Sequence, residues 1–243
     1  MQLASRVALV TGAGRRVGRA LALALAGRGM RVAVHFHQSR AEAEGTLDSI
    51  RQLGADGACF SADLSDARAA QELPARVAAH FGQLDVLVNS AGIMTRASLE
   101  DTTPELWDAI MNINLRSMFF VSQGAVAELR RTRGRIVNLA DVGGMEPWPN
   151  YAAHSISKAG VVMLTRTLAR ALAPDITVNA ISPGAVLPPD AWDSRAREHL
   201  VRTTPLKRLG SPDDVSAALL YLLEGGDYVT GQTLVVDGGR LVR

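Results

Sequence analysis

A strand that turns through glycines into a helix and is followed by a second strand constrains this chain more than any other feature. Val7-Ala8-Leu9-Val10 is an apolar run that ends in Thr11-Gly12-Ala13-Gly14-Arg15-Arg16-Val17-Gly18 and passes into an Ala/Leu-rich helical pattern. A second apolar run, Val32-Ala33-Val34, ends in His35-Phe36-His37-Gln38-Ser39-Arg40. Such a turn brings free backbone N–H groups and the positive end of a helix dipole to one point, a natural seat for a pyrophosphate. Sites for NAD often carry an acidic residue near the end of the second strand, which binds the adenosine ribose hydroxyls. None stands between Arg31 and Ala41. Arg16, His37, Ser39 and Arg40 suit a 2′-phosphate instead. The expected cofactor is therefore NADPH/NADP, held by Gly12, Gly14, Arg16, Val17, His37 and Ser39.

Strands and helices alternate to the end of the chain. Apolar β-type runs lie at 7–11, 31–36, 57–61, 84–89, 135–140, 176–181 and 233–236, with helical patterns at 17–28, 40–53, 66–80, 104–131, 152–172 and 212–223. Strands separated by helices pair in parallel through right-handed crossovers. The fold class expected is α/β, a Rossmann-type doubly wound, mainly seven-stranded parallel sheet with helices on both faces, with residues 1–243 as a single NADP-binding domain.

Composition narrows the function classes. A formal charge of +2 with scattered basic residues gives no nucleic-acid face. The densest basic run, Arg130-Arg131-Thr132-Arg133, falls at an expected helix C-terminus, where cations complement the dipole. The single cysteine, Cys59, can form no intrachain disulfide, which fits a reducing compartment. No run is long enough to span a bilayer and no signal-type segment opens the chain. The expectation is a cytoplasmic protein with a small-molecule substrate, no nucleic-acid or membrane partner, and no metal.

Later segments fill in the site. Asp63, with Leu64 after it, follows the third strand; its carboxylate can accept from an adenine amino group or cap the next helix. Asn89-Ser90-Ala91-Gly92 closes the fourth strand, where small residues let the backbone pass close to a cofactor. Asn114 is an amide in a mostly apolar helical stretch, so it either braces a neighbouring strand or holds a water. The stretch 183–205 breaks the α/β rhythm with Pro183-Gly184, Pro188-Pro189 and a polar helix candidate from Asp190 to Val201. An insertion after a strand's carboxyl end lies where open α/β sheets bind ligands, so 183–205 is read as a substrate-side lid.

Together, Thr11-Gly12 through Gly18, Asp63, Asn89-Ser90-Ala91-Gly92, Asn114, Lys158, Pro183-Gly184, Val229-Thr230-Gly231 and Val236-Asp237-Gly238-Gly239 resemble the short-chain dehydrogenase/reductase superfamily over essentially the whole chain. Within it the sequence is most similar to the pteridine reductases. The likeness rests on Arg16 at the middle glycine position, on His35, His37 and Ser39, and on Asp141 where most relatives have serine. It also rests on Pro188-Pro189-Asp190-Ala191-Trp192 and Asp237-Gly238-Gly239-Arg240. The resemblance implies NADPH, a homotetramer and hydride delivery to a C=N bond of a pterin-like ring. It also implies cofactor contacts from Asp63, Leu64, Asn89, Ala91, Gly92, Lys158, Pro183 and Gly184, and substrate contacts from Tyr151, Val186 and Trp192.

One position departs from the superfamily. The usual proton-donating tyrosine, four residues before the lysine, is His154, so the catalytic set reads Asn114, Asp141, His154 and Lys158. Imidazole exchanges a proton near neutrality and is a competent general acid. Tyr151, one turn earlier, is the other donor in reach. Two rival functions stand beside pterin reduction: a carbonyl or 3-oxoacyl reductase, and an NADP-binding protein without turnover. Arg240 and Arg243 are expected to reach a neighbouring subunit's pocket.

Overall fold

Period-two alternation sorts the strand residues between two faces of one sheet. In this computed structural model, which describes residues 1–187 and 193–242, the strands are β1 (Val7–Val10), β2 (Arg31–Phe36), β3 (Gly57–Ser61), β4 (Val86–Asn89), β5 (Arg135–Leu139), β6 (Thr177–Pro183) and β7 (Thr233–Val236). They pair in parallel in the order β3-β2-β1-β4-β5-β6-β7. Ala8, Val10, Val32, Val34, Val86 and Val88 face one core layer, and Val7, Leu9, Ala33 and Leu87 face the other. Helices α1 (Arg16–Ala26), α2 (Arg40–Gln52) and α8 (Pro212–Glu224) close the first layer, and α3 (Ala67–Phe81), α5 (Ser117–Thr132) and α6 (Ala152–Leu172) close the second. Each large side chain sealed there, Leu9, Leu21 and Leu73 among them, contributes about 1.5–3 kcal/mol.

The strand order reverses between β1 and β4, so the chain leaves a crevice beyond their carboxyl ends, where doubly wound sheets take ligands. Everything described below as the candidate site is built on that edge.

Three elements differ from the sequence pattern. The expected strand at 84–89 begins at Val86; the buried Asp85 just before it accepts the Val7 N–H at 2.8 Å and the Arg6 guanidinium at 2.6 Å on its carboxylate. The single helix expected over 104–131 is α4 (Pro104–Met111), a π-helical turn (Asn112–Arg116) and α5. The polar helix expected from Asp190 is α7 (Ser194–Thr203), started by Asp193, which accepts the Ala196 N–H at 2.8 Å. Trp192 and Pro188-Pro189 of the expected lid lie outside the described residues, as does Arg243.

Candidate active site

The floor of the crevice is the glycine turn. Gly12 sits at φ +65°, and a Cβ there would lie 3.0 Å from Ala91 Cα; a Cβ on Gly18 would lie 2.3 Å from Gly12 O. Any larger residue would push the turn off the segment that follows β4. Thr11 Oγ1 fixes that segment by accepting the Ser90 and Ala91 N–H groups at 2.9 and 3.0 Å. The α1 N-terminus carries no side-chain cap. Its first-turn donors therefore face the crevice unshielded, the chemistry a pyrophosphate requires. The shape and donor set fit a dinucleotide.

The basic cluster expected at the adenosine end is divided. His37 and Ser39 are where the sequence places them, after β2. His37 Nε2 lies 3.7 Å from Asp63 Oδ2, and Ser39, although the N-cap residue of α2, spends no side-chain hydrogen bond on it. Ser39 Oγ is also 3.3 Å from where a Gly14 Cβ would stand, which ties this hydroxyl to the turn. Arg40 instead lies over the Phe36 ring and pairs with Glu44. Arg16 corrects the expectation: its guanidinium donates to Leu187 O on the substrate side, not toward His37 and Ser39. Its backbone is left-handed, φ +53°, the region that suits the glycine other superfamily members carry.

Other expected cofactor residues have their side chains engaged within the protein. Leu64 is core. Asn89 turns inward, donating to Ser122 Oγ at 3.0 Å and Asn138 Oδ1 at 2.9 Å. Asp63 neither caps α3 nor stands free. The α3 cap is Asp66, while Asp63 Oδ1 accepts from Ser65 N and Oγ, which holds the Asp63 carboxyl below its ordinary range.

Asp141, Tyr151, His154, Lys158, Gly92, Val17, Pro183, Gly184 and Val186 line one cleft of about 860 Å³. Asn114 stands behind it, fully buried in the π turn. Its Oδ1 accepts the Ile93 N–H at 2.8 Å, and its Nδ2 donates to Ile93 O at 2.9 Å and Ser157 Oγ at 3.1 Å. The wider π turn projects this amide out of the helix, and it braces the strand-following segment.

His154 is 4% exposed. Asn114 has two amide hydrogens, and both are used in shorter contacts than the 3.4 Å to His154 Nδ1. We therefore assign the proton to Nδ1, which reaches Ile93 O at 3.4 Å. Nε2 is left without a hydrogen-bond partner, 3.9 Å from Oδ2 of the cleft residue Asp141. The indole of Trp148 lies parallel to the imidazole within 8°. Asp141 Oδ1 accepts the Gly143 N–H at 2.7 Å, which points Oδ2 at His154. Lys158 Nζ donates to Leu139 O at 2.7 Å; burial pushes its ammonium down to about 8, with Asp141 opposing.

Tyr151 begins α6 with its ring edge-on to Trp148. Arg240 lies in the cleft of its own chain, with Nε 3.4 Å from Glu146 Oε2, whereas the sequence placed it at a neighbour's pocket. Asp237 sets that course by accepting the Gly239 and Leu241 N–H groups at 2.7 and 2.8 Å. No cluster of metal-ligating side chains is found among the described residues, and no helix of theirs is long and apolar enough to cross a membrane.

The family described as enoyl-(acyl carrier protein) reductase matches residues 12–240. A 3-oxoacyl-[acyl-carrier-protein] reductase of Staphylococcus aureus is 38% identical over 240 residues, 97% of this chain and 98% of that protein. One from Synechocystis is 37% identical over 245 residues, 99% of this chain and 98% of that protein. A doubly substituted Serratia marcescens short-chain dehydrogenase/reductase superposes with a TM-score of 0.92 at 32% identity, with 99% of each chain covered. With the glycine turn, the β1/β4 crevice and the lysine-bearing α6 in place, the chain belongs to the short-chain dehydrogenase/reductase superfamily of oxidoreductases.

Proposed function

We propose that the chain is an NADPH-dependent reductase of a carbonyl group on an acyl-type substrate. The observation that carries a working site is His154 Nε2, a buried nitrogen of a cleft-lining residue with no hydrogen-bond partner of its own. The relatives named as 3-oxoacyl-[acyl-carrier-protein] reductases support the carbonyl. Apolar walls from Ile93, Met94, Val142, Val186, Leu187 and Leu200 suit an extended chain.

NADPH, when bound, supplies hydride to an electrophilic carbon. Gly12, Gly14, Val17, His37, Ser39 and Lys158 are the residues we assign to hold it; the free Ser39 hydroxyl, the half-exposed His37 ring and the lack of an acid after β2 support the 2′-phosphate. His154, when Nε2 carries a second proton beside the one on Nδ1, donates that proton to the oxygen as charge develops there. A carboxylate facing that oxygen would oppose the reaction. Asp141 escapes the objection, because Oδ1 is engaged by Gly143 and Oδ2 is turned to the imidazole. At 3.9 Å it steadies positive charge on the ring without taking the proton.

A second reading keeps the pterin-like C=N substrate. It rests on Asp141 Oδ2, which makes no hydrogen bond and can accept an N–H from an amino-substituted ring. The homotetramer remains a proposal on the resemblance alone.

The test is NADPH oxidation with a 3-oxoacyl thioester, dihydrobiopterin and a cyclic imine. Turnover of the thioester is expected; turnover of dihydrobiopterin alone would favour the second reading. No turnover with NADPH still bound would leave a binding protein.

A further inference from the structure

His35, at the carboxyl end of β2, contacts the glycine turn although it is not among the residues lining the cleft. It is only 2% exposed and uses three groups at once. Its carbonyl accepts the Ala13 N–H at 3.0 Å, its Nδ1 accepts the Gly12 N–H at 3.1 Å, and its Nε2 lies 3.1 Å from Ala62 O. A backbone N–H can only donate and a carbonyl can only accept, so the tautomer is fixed with the proton on Nε2. Burial pushes the imidazolium down to about 4, with the nearby positive groups His37 and Arg76 acting in the same direction, so the ring is neutral under ordinary conditions.

Two successive turn donors, Gly12 and Ala13, are thus drawn back onto one residue of β2. The donors that follow in the α1 N-terminus are the ones left for an anion. Gly12 holds a left-handed φ of +65° against Ala91, and the side-chain bond from His35 is what fixes its peptide from the sheet side. The same ring fastens the turn to Ala62, directly before Asp63 at the end of β3.

We propose that His35 is a positioning residue for the dinucleotide: by accepting the Gly12 N–H it sets the orientation of the phosphate-binding turn, and cofactor affinity depends on that one bond. The inference rests on the cofactor reading given above. It separates from a general structural role because the two ring nitrogens can be replaced one at a time. In His35→Asn the amide oxygen reaches the Nδ1 position and restores the acceptor for Gly12. In His35→Gln the amide nitrogen reaches the Nε2 position and restores only the donor to Ala62.

The test is fluorescence titration of both full-length variants and wild type with NADPH, alongside their thermal midpoints. Expected are a near-wild-type Kd for His35→Asn and a Kd raised by about tenfold or more for His35→Gln, about 1.4 kcal/mol of binding, with similar thermal midpoints for the two. Equal affinity in His35→Gln and wild type overturns the inference, as does an equal loss in both variants. Amide hydrogen exchange of wild type gives a reading that needs no variant. Gly12 N–H is expected to be as protected as its neighbours in the sheet ladder, and rapid exchange there overturns the inference. A wild type that binds no nicotinamide dinucleotide removes the cofactor reading and this inference together, whereas binding that His35→Gln leaves untouched removes this inference only.

Discussion

His154 Nε2 and Asp141 Oδ2 stand 3.9 Å apart across the cleft, close enough to interact through charge and too far to share a hydrogen. Removing the charge while keeping the shape isolates that interaction. Asp141→Asn is expected to lower kcat by about tenfold, about 1.4 kcal/mol of transition-state stabilisation, with NADPH affinity unchanged. Steady-state kinetics with the preferred substrate checks this. An unchanged kcat with a raised KM would make Asp141 a substrate contact, as the pterin reading requires.

Lys158 carries a stability signature. Its folded value, about 8, lies below the ordinary 10.5. Below pH 8 both folded and unfolded chains hold the proton, so the folded state bears the whole cost of the buried ammonium. Between 8 and 10.5 the unfolded chain holds more protons, so this contribution makes stability rise with pH, by about 3 kcal/mol in total. Denaturant unfolding of wild type and Lys158→Met across that window is expected to show the gap between them closing in favour of wild type. A constant gap would contradict the assignment.

Arg16 holds a left-handed backbone at a cost of about 1 kcal/mol. Arg16→Gly relieves that cost and loses the contact with Leu187 O. The expected result is little net change in thermal midpoint, unchanged NADPH affinity and a severalfold higher substrate KM. A Kd for NADPH weakened by about tenfold, with normal KM, would return Arg16 to the 2′-phosphate.

Ser39→Asp puts a carboxylate where the 2′-phosphate is expected to lie. Like charge should raise the NADPH Kd by about tenfold or more and shift preference to NADH. Equal affinity of the variant for NADPH and of wild type for both dinucleotides would contradict the NADP assignment.

The sheet was legible because short apolar runs between helical patterns and glycine placement are local signals: Val7-Ala8-Leu9-Val10 is apolar throughout, and its two faces meet the two core layers. Asp141, His154 and Lys158 were legible only through the resemblance to the superfamily, which marks these positions, and the structure brings the three to one cleft. The π turn at Asn112–Arg116 was not, since one extra residue in a hydrogen-bonded ring leaves the apolar pattern of 104–131 intact. Nor was the inward course of His35, whose partners are the main chain of Gly12 and Ala62 and carry no side-chain signal. Arg16 was misplaced because its reach depends on Leu187, 171 residues further along the chain. The place of Arg240 at its own chain's cleft was not legible, because it depends on the turn set by Asp237.

The central claim is that His154 Nε2 delivers the proton. It is tested most directly by the pH dependence of kcat for wild type, His154→Phe and His154→Tyr, with NADPH binding measured in parallel. Expected are a wild-type rate that falls with rising pH, as a proton-donating step requires, a loss of about 10²–10⁴ in His154→Phe with NADPH still bound, and recovered turnover in His154→Tyr with the wild-type pH dependence gone. Unchanged turnover and an unchanged pH profile in His154→Phe would contradict it.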